Sequence, residues 1–241
     1  MLNLLIAIAA GLAVFFGLGL AWSFSYAAFP GAAVLIAVYF LLARRTSKKV
    51  EAIMPEVQKA LMARRTDQAI ALLEQARKLG RWQFLVKSAI DAQIGMILYA
   101  HKQDFEAARP YLERAFSRQW QPKAMLAAIH FKNKRYDEME RVFEETTKVN
   151  KKASLLWAAW AWCEWKRGKR DKAIEILGRA KEHLPEDERI QKNLLALQNN
   201  QKMKMKAYGD EWYALLLEKP PMQMAVQGRM PRSRKARRGR R

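Results

Sequence analysis

The sequence is poor in the residues on which most chemistry is built. Among 241 residues there is one cysteine, Cys163, and three histidines, His101, His130 and His183, stand far apart. A single thiol makes no internal disulfide, and no Cys/His cluster has metal-ligand spacing. Glycines are scattered, with Gly168 and Gly209 reading as turn or cap residues, so no phosphate-cradling loop is present. Neither H-E-x-x-H nor G-x-S-x-G occurs, and no paired-carboxylate motif stands out. These absences argue against an enzyme: no catalytic residue, cofactor-binding residue or metal ligand is assigned. Cys163, within AAWAWCEW, reads as a small buried hydrophobe.

Charge is missing from one end and one-sided over the remainder. Residues 1–43 carry no Asp, Glu, Lys or Arg, whereas the whole chain has 44 Lys+Arg against 23 Asp+Glu, a net charge of +21. A charge of that size bears on partners and solubility rather than on fold. Leu2–Trp22 is long enough to cross a bilayer, which takes about 20 helical residues. A turn is expected at FPG, Phe29–Gly31, followed by a second apolar run, Ala32–Ala43, with Trp22 and Tyr26 at an interfacial level. A cleaved signal peptide needs basic residues ahead of its apolar core, and none precedes this one. The expectation is a membrane hairpin over 1–49. Arg44, Arg45, Lys48 and Lys49 close the second span, and such clusters stay on the cytoplasmic side.

Beyond Val50 the apolar pattern turns amphipathic, and one helix is written four times: TDQAIALLEQA (66–76), DFEAARPYLERA (104–115), YDEMERVFEETT (136–147) and RDKAIEILGRA (170–180). A small or slim residue (Ala69, Ala108, Met139, Ala173) is followed four later by a large apolar one (Leu73, Leu112, Phe143, Leu177). Three further on stand Ala76, Ala115, Thr146 and Ala180. Spacings of four and three share one helical face, where the small residues admit a neighbouring helix. The copies recur at offsets of 39, 31 and 34 residues, the mark of a stacked array.

The fourth unit carries the clearest motif. Trp157, Trp160 and Ala161 lead to Ala173, Leu177 and Pro185, with Glu164 in place of a Tyr. This resembles the tetratricopeptide (TPR) repeat, W-x2-L-G-x2-Y…A-x3-F…P. In the second unit Tyr99, Ala108, Leu112 and Ala115 match while Gly95 and Met96 do not. The third keeps Ala127 and has His130 in the aromatic slot; the first has Pro55 in its leading helix. The resemblance spans about Glu51–Pro185. It implies an all-α fold: the transmembrane hairpin, an α-solenoid of about four TPR-like helix pairs (50–187), capping helices (188–221) and a basic disordered tail (222–241).

TPR-like arrays present a concave surface lined by the first helix of each pair. Family register puts Ile90, Gln93, Ile97 and Ala100 there, then Gln121, Ala124, Ala128 and Phe131, and finally Leu155, Ala158, Trp162 and Trp165. A Lys/Asn/Arg carboxylate clamp is lacking at these positions. The apolar lining suits an amphipathic helix or peptide of a protein partner. Equally, the chain's own GDEWYALLLEKPP segment (209–221), too apolar for a free helix, can fill the groove.

The C-terminal Arg229, Arg232, Arg234, Lys235, Arg237, Arg238, Arg240 and Arg241 are accompanied by no acidic residue and bury too little apolar area to fold alone. They suit an anionic lipid surface, each cation near it being worth about 1 kcal/mol. Nucleic acid is the alternative anion, bound with a steep salt dependence. The resulting expectation is a multi-pass protein of a bacterial inner (plasma) membrane whose repeat domain, in the cytoplasm, recruits protein partners. The competing expectation is a membrane tether for RNA, ribosomes or DNA through the tail. Neither the partner nor the oligomeric state is legible.

Overall fold

Apolar residues recur at helical spacing through most of the chain. The computed structural model, which describes residues 2–21, 24–82 and 84–220, is all-helical with no strand among those residues. Helices α1 (Leu2–Ala21) and α2 (Phe24–Glu51) run antiparallel and in close contact. Small residues set the approach: a Cβ on Gly11 would lie 2.8 Å from Leu35 Cβ and 2.9 Å from the Gly31 carbonyl oxygen. Ala7 and Ala27 are buried in the same seam. Close packing of small residues of this kind is also what holds helices together within a bilayer. The outer faces stay bare: 17% and 11% of the most apolar stretches of the two helices are buried. Core helices of a water-soluble domain bury far more, and both helices are long and apolar enough to cross a membrane.

The expected turn at Phe29–Gly31 is not there. Pro30 lies inside α2, and the helices are separated by residues 22–23, which are outside the described residues, as is Trp22 of the expected aromatic belt. Proline at the seventh position of α2 removes one N–H bond, to the carbonyl of exposed Tyr26 near the helix start. Packing of Ala27 and Gly31 against α1 outweighs that loss.

At the far end of the hairpin Asn3 Nδ2 donates to Thr46 Oγ1 at 3.0 Å, and that hydroxyl donates to the Leu42 carbonyl. The Asn3 N–H donates to the Trp82 carbonyl at 3.2 Å, tying the hairpin to the helices that follow.

Those helices come in pairs: α3 (Met54–Met62) with α4 (Thr66–Arg77), α5 (Phe84–Ile97) with α6 (Phe105–Arg114), α7 (Trp120–Lys132) with α8 (Tyr136–Val149), and α9 (Ser154–Lys166) with α10 (Arg170–His183). Pro55 opens α3, where its missing N–H costs nothing. All twelve repeat-face positions of the second helices, Ala69 through Ala180, are buried.

Each pair turns the same way. Arg64, Gln103, Lys134 and Gly168 have φ of 58°, 55°, 57° and 84°, and they recur at the same offsets of 39, 31 and 34 residues. The N–H after each left-handed residue reaches back to the first helix: Arg65 to Ala60, Arg135 to His130 and Lys169 to Glu164, closing a Schellman turn. In the second pair Asp104 reaches to Leu98, one residue further, because α5 continues into a π-helical segment, Leu98–Lys102. That extra residue shifts the register. Gly95 then stands three before Leu98 just as Ala161 stands three before Glu164, so the small residue apparently missing from this unit is present. A Cβ there would be 2.7 Å from Leu112 Cδ2.

Helix α11 (Glu188–Gln198) packs on α9 and α10 and ends at Asn199 and left-handed Asn200. Asp187 caps its start, accepting from the Arg189 and Ile190 N–H groups. A 3-10 turn (Met205–Tyr208) and the single-turn α12 (Asp210–Ala214) follow. The apolar segment from 209 to the double proline thus forms one helical turn with Gly209 at its N-cap, and Leu216 at φ 50° bends the chain beyond it.

Candidate functional site

The groove lining derived from the repeat divides into three sets. Ile90, Ile97, Ala124, Ala128, Leu155, Ala158 and Trp162 are buried, Phe131 and Trp165 are half-buried, and Gln93, Ala100 and Gln121 are exposed. The structure brings the aromatic members together: Phe131 lies 5.9 Å from Trp162, ring centre to ring centre. Trp162 is not open to an external helix, however. Trp212 of α12, itself 0% exposed, meets it edge-to-face at 5.2 Å.

The chain's own strap, residues 203–218, covers this end of the groove. Met203, Met205, Tyr208, Trp212, Tyr213 and Leu215 are buried in the common core. Three polar links hold it: the Lys204 N–H donates to Asn193 Oδ1 at 2.6 Å, Tyr208 and Ser154 share a hydrogen bond of 3.1 Å, and the Tyr99 hydroxyl donates to the Leu215 carbonyl. Burial raises Tyr99 far above its ordinary range, and burial also raises Tyr208 to about 12. Both therefore stay neutral and keep their protons for these bonds. Inside the strap the Trp212 indole donates to Glu218 at 2.9 Å. At Trp162 the neighbour is therefore the chain's own Trp212.

The tryptophans of α9 serve two faces. Trp160 stacks on Phe143 of α8 and on Trp157, and the Arg179 guanidinium lies over Trp157 and Trp160 at 5.5 and 5.4 Å. Trp162 and Trp165 turn the other way, each beneath the Lys166 ammonium, at 5.1 and 4.8 Å. A residue spacing of three, two and three does spread the cluster over more than one face. Cys163 is fully buried between them, and burial, then the Glu164 charge, pushes its thiol well up, so it is kept from acting as a thiolate.

Compared with known proteins, the chain matches no family model, no curated protein and no solved structure.

Sequence reading missed two ion clusters because their members come from three different helices. Glu164, 0% exposed, receives Arg167 at 3.0 Å, and the same guanidinium reaches Glu140 of α8 at 2.6 Å and lies 4.1 Å over the Tyr136 ring. Lys172 of α10 also pairs with Glu140. Burial, then Glu140, raises Glu164. Burial also works to raise Glu140, but the bonds from Lys172 and Arg167 outweigh it and hold that carboxyl down. In the second cluster Asp91, 1% exposed, pairs with Arg77 at 2.7 Å and Arg114 at 3.1 Å, while Tyr111 donates to Glu74. Both clusters pair their buried carboxylates with cations and so join successive helices. Among the described residues no group of His, Cys, Asp and Glu could hold a metal ion. The cationic residues Arg229, Arg232, Arg234, Lys235, Arg237, Arg238, Arg240 and Arg241 lie outside the described residues.

Proposed function

We propose that this chain is a membrane-anchored scaffold: a TPR-like α-solenoid held at the cytoplasmic face of a bacterial inner membrane by the α1–α2 hairpin, recruiting a protein partner on its concave side. The observation that carries the reading is the join between the two parts. An apolar hairpin with bare outer faces, closed at its end by the Asn3–Thr46 bond, is fixed to a helical array by the bond from the Asn3 N–H to the Trp82 carbonyl, and Arg44, Arg45, Lys48 and Lys49 follow directly on its uncharged stretch. Four left-handed residues at matched offsets, three of them closing the same turn, together with Gly95 in register with Ala161, support the repeat assignment. The strap indicates what such a groove accepts, an aromatic and aliphatic segment delivering Trp and Leu side chains. Exposed Gln93 and Gln121 leave part of the face for a partner.

Two measurements test this. A reporter fused after Lys49 is active in the cytoplasm only; periplasmic activity overturns the orientation. A photocrosslinker at Gln93 or Gln121 gives a discrete protein adduct in cells, whereas one at exposed Glu186 does not. Identical patterns at all three positions count against a partner face there.

A further inference from the structure

Where α2 leaves its apolar stretch, a cavity of about 250 Å³ opens between the hairpin and the loop after α4. Leu42, Arg45, Thr46 and Lys49 line it from one face of α2, with Asn3 across from them, and Leu79 and Trp82 close it from the loop. The Asn3 N–H holds the Trp82 carbonyl, so the loop is fixed over the cavity while the indole stays 42% exposed. No carboxylate lines the cavity, and neither Arg45 nor Lys49 has an ion-pair partner among the described residues.

We infer that this cavity is a binding site for one anionic phospholipid, its headgroup phosphate between Arg45 and Lys49 and its glycerol against Trp82. The site rests on the reading of α1 and α2 as membrane spans. At 1.5 Å per residue the uncharged part of α2, Phe24 to Ala43, covers about 30 Å, one hydrocarbon thickness. Arg45 therefore emerges at headgroup level, Lys49 about 6 Å beyond it. Leu42, one turn below Arg45, and the bare apolar face of α2 offer acyl chains a path that a soluble phosphate cannot use. An amphipathic indole at this level matches the interfacial preference of tryptophan. Two unpaired cations select a net negative lipid over a zwitterionic one. Both cations stand on one face of a single helix beside one cavity, so the contact is one-to-one rather than diffuse.

The test is native mass spectrometry of the full chain in detergent, with phosphatidylglycerol and phosphatidylcholine of equal chain length in competition. One phosphatidylglycerol is retained preferentially. R45Q/K49Q lowers that preference about tenfold, as expected for removing two cations worth about 1 kcal/mol each in a partly screened site. R44Q/K48Q removes equal charge from residues of the same helix that do not line the cavity and keeps the preference, as does deletion of 222–241. An unchanged preference in R45Q/K49Q, or its loss on tail deletion alone, overturns the site. Displacement of the lipid by millimolar inorganic phosphate overturns the lipid as its ligand. Extraction of the chain from membranes by alkaline carbonate overturns the membrane reading, and this site with it; a carbonate-resistant chain lacking the preference overturns the site alone.

Discussion

Replacing Trp212 with Ala is the most direct probe of the filled groove. The side chain is 0% exposed, meets Trp162 edge-to-face at 5.2 Å and donates its indole N–H to Glu218. Trp-to-Ala substitutions in a core cost about 3–5 kcal/mol, of which an aromatic pair supplies about 0.5–1.5. The strap, however, is a terminal segment held by three polar links and a few side chains, so it can detach while the array persists. A terminal unit that opens separately caps the global loss at its own docking energy. The expected result is therefore selective. Amide exchange across 203–215 rises by two or more orders of magnitude, α9 loses protection on its Trp162 face, and α3–α6 are unchanged. Hydrogen exchange by mass spectrometry on the detergent-solubilised chain reads this directly. Unchanged exchange in the strap would refute the argument that Trp212 anchors it. A uniform rise through all pairs would show that the strap belongs to the global cooperative unit.

Gly95→Val forces a Cβ to within 2.7 Å of Leu112 and should cost about 2 kcal/mol by overpacking, whereas Gly178→Ala, with open space around it, should gain about 1 kcal/mol in thermal melts. Arg167→Met strands buried Glu164 and should destabilise by about 3 kcal/mol, with E164Q/R167M recovering most of it; equal losses in both variants would mean that packing, not charge, is at stake. Asp187 gives the pH signature. Burial works to raise it, but the bonds from Arg189, Ser154 and the Ile190 N–H prevail and hold its carboxyl at about 2. A depressed carboxyl stabilises the fold above its unfolded value near 4 and ceases to do so as pH falls through about 2. The gap in stability between the native chain and Asp187→Asn should shrink by on the order of 2 kcal/mol between pH 6 and pH 2. A gap independent of pH would mean that the cap is not acting as an ion.

Much of the helical array is legible in the sequence because it depends on local spacing. Ala108, Leu112 and Ala115 declare a packing face whatever lies opposite, and Pro55 declares a helix start. Pro30 misleads for a physical reason: a proline near a helix start forfeits a single bond, and the close seam of Gly11 and Gly31, twenty residues apart, decides the outcome. The π-helical segment after α5, Leu98–Lys102, adds one residue to the turn that no local signal in the sequence marks, and without it Gly95 reads as a mismatch. Glu164 and Asp91 look like ordinary surface acids in sequence, since their partners stand on other helices. The contact of Trp162 with Trp212 depends on a segment whose return onto the array the sequence leaves open. Whether WYALLL turns back is set by Tyr99, Asn193 and Ser154, none of which announces itself as a strap partner.

The strap over Trp162 changes how the proposed partner recruitment must be measured. The strap is tethered to the array it covers, so its effective concentration is on the order of millimolar, and a free peptide competes with that rather than with solvent. A partner with micromolar affinity for the empty groove then looks absent in the native chain. Detaching the strap removes the competitor, so Trp212→Ala should strengthen capture of an aromatic amphipathic peptide by tenfold or more. The strap's own sequence, GDEWYALLLEKPP, is the probe to use, labelled and titrated in fluorescence anisotropy. Trp162→Ala in the same background should abolish the gain, because aromatic anchors in desolvated pockets commonly carry about 2 kcal/mol or more. Binding that rises in Trp212→Ala and survives Trp162→Ala would place the peptide elsewhere on the array. Binding that never rises would mean that the groove closes when the strap leaves, and the concave face would then be core rather than a recruitment surface.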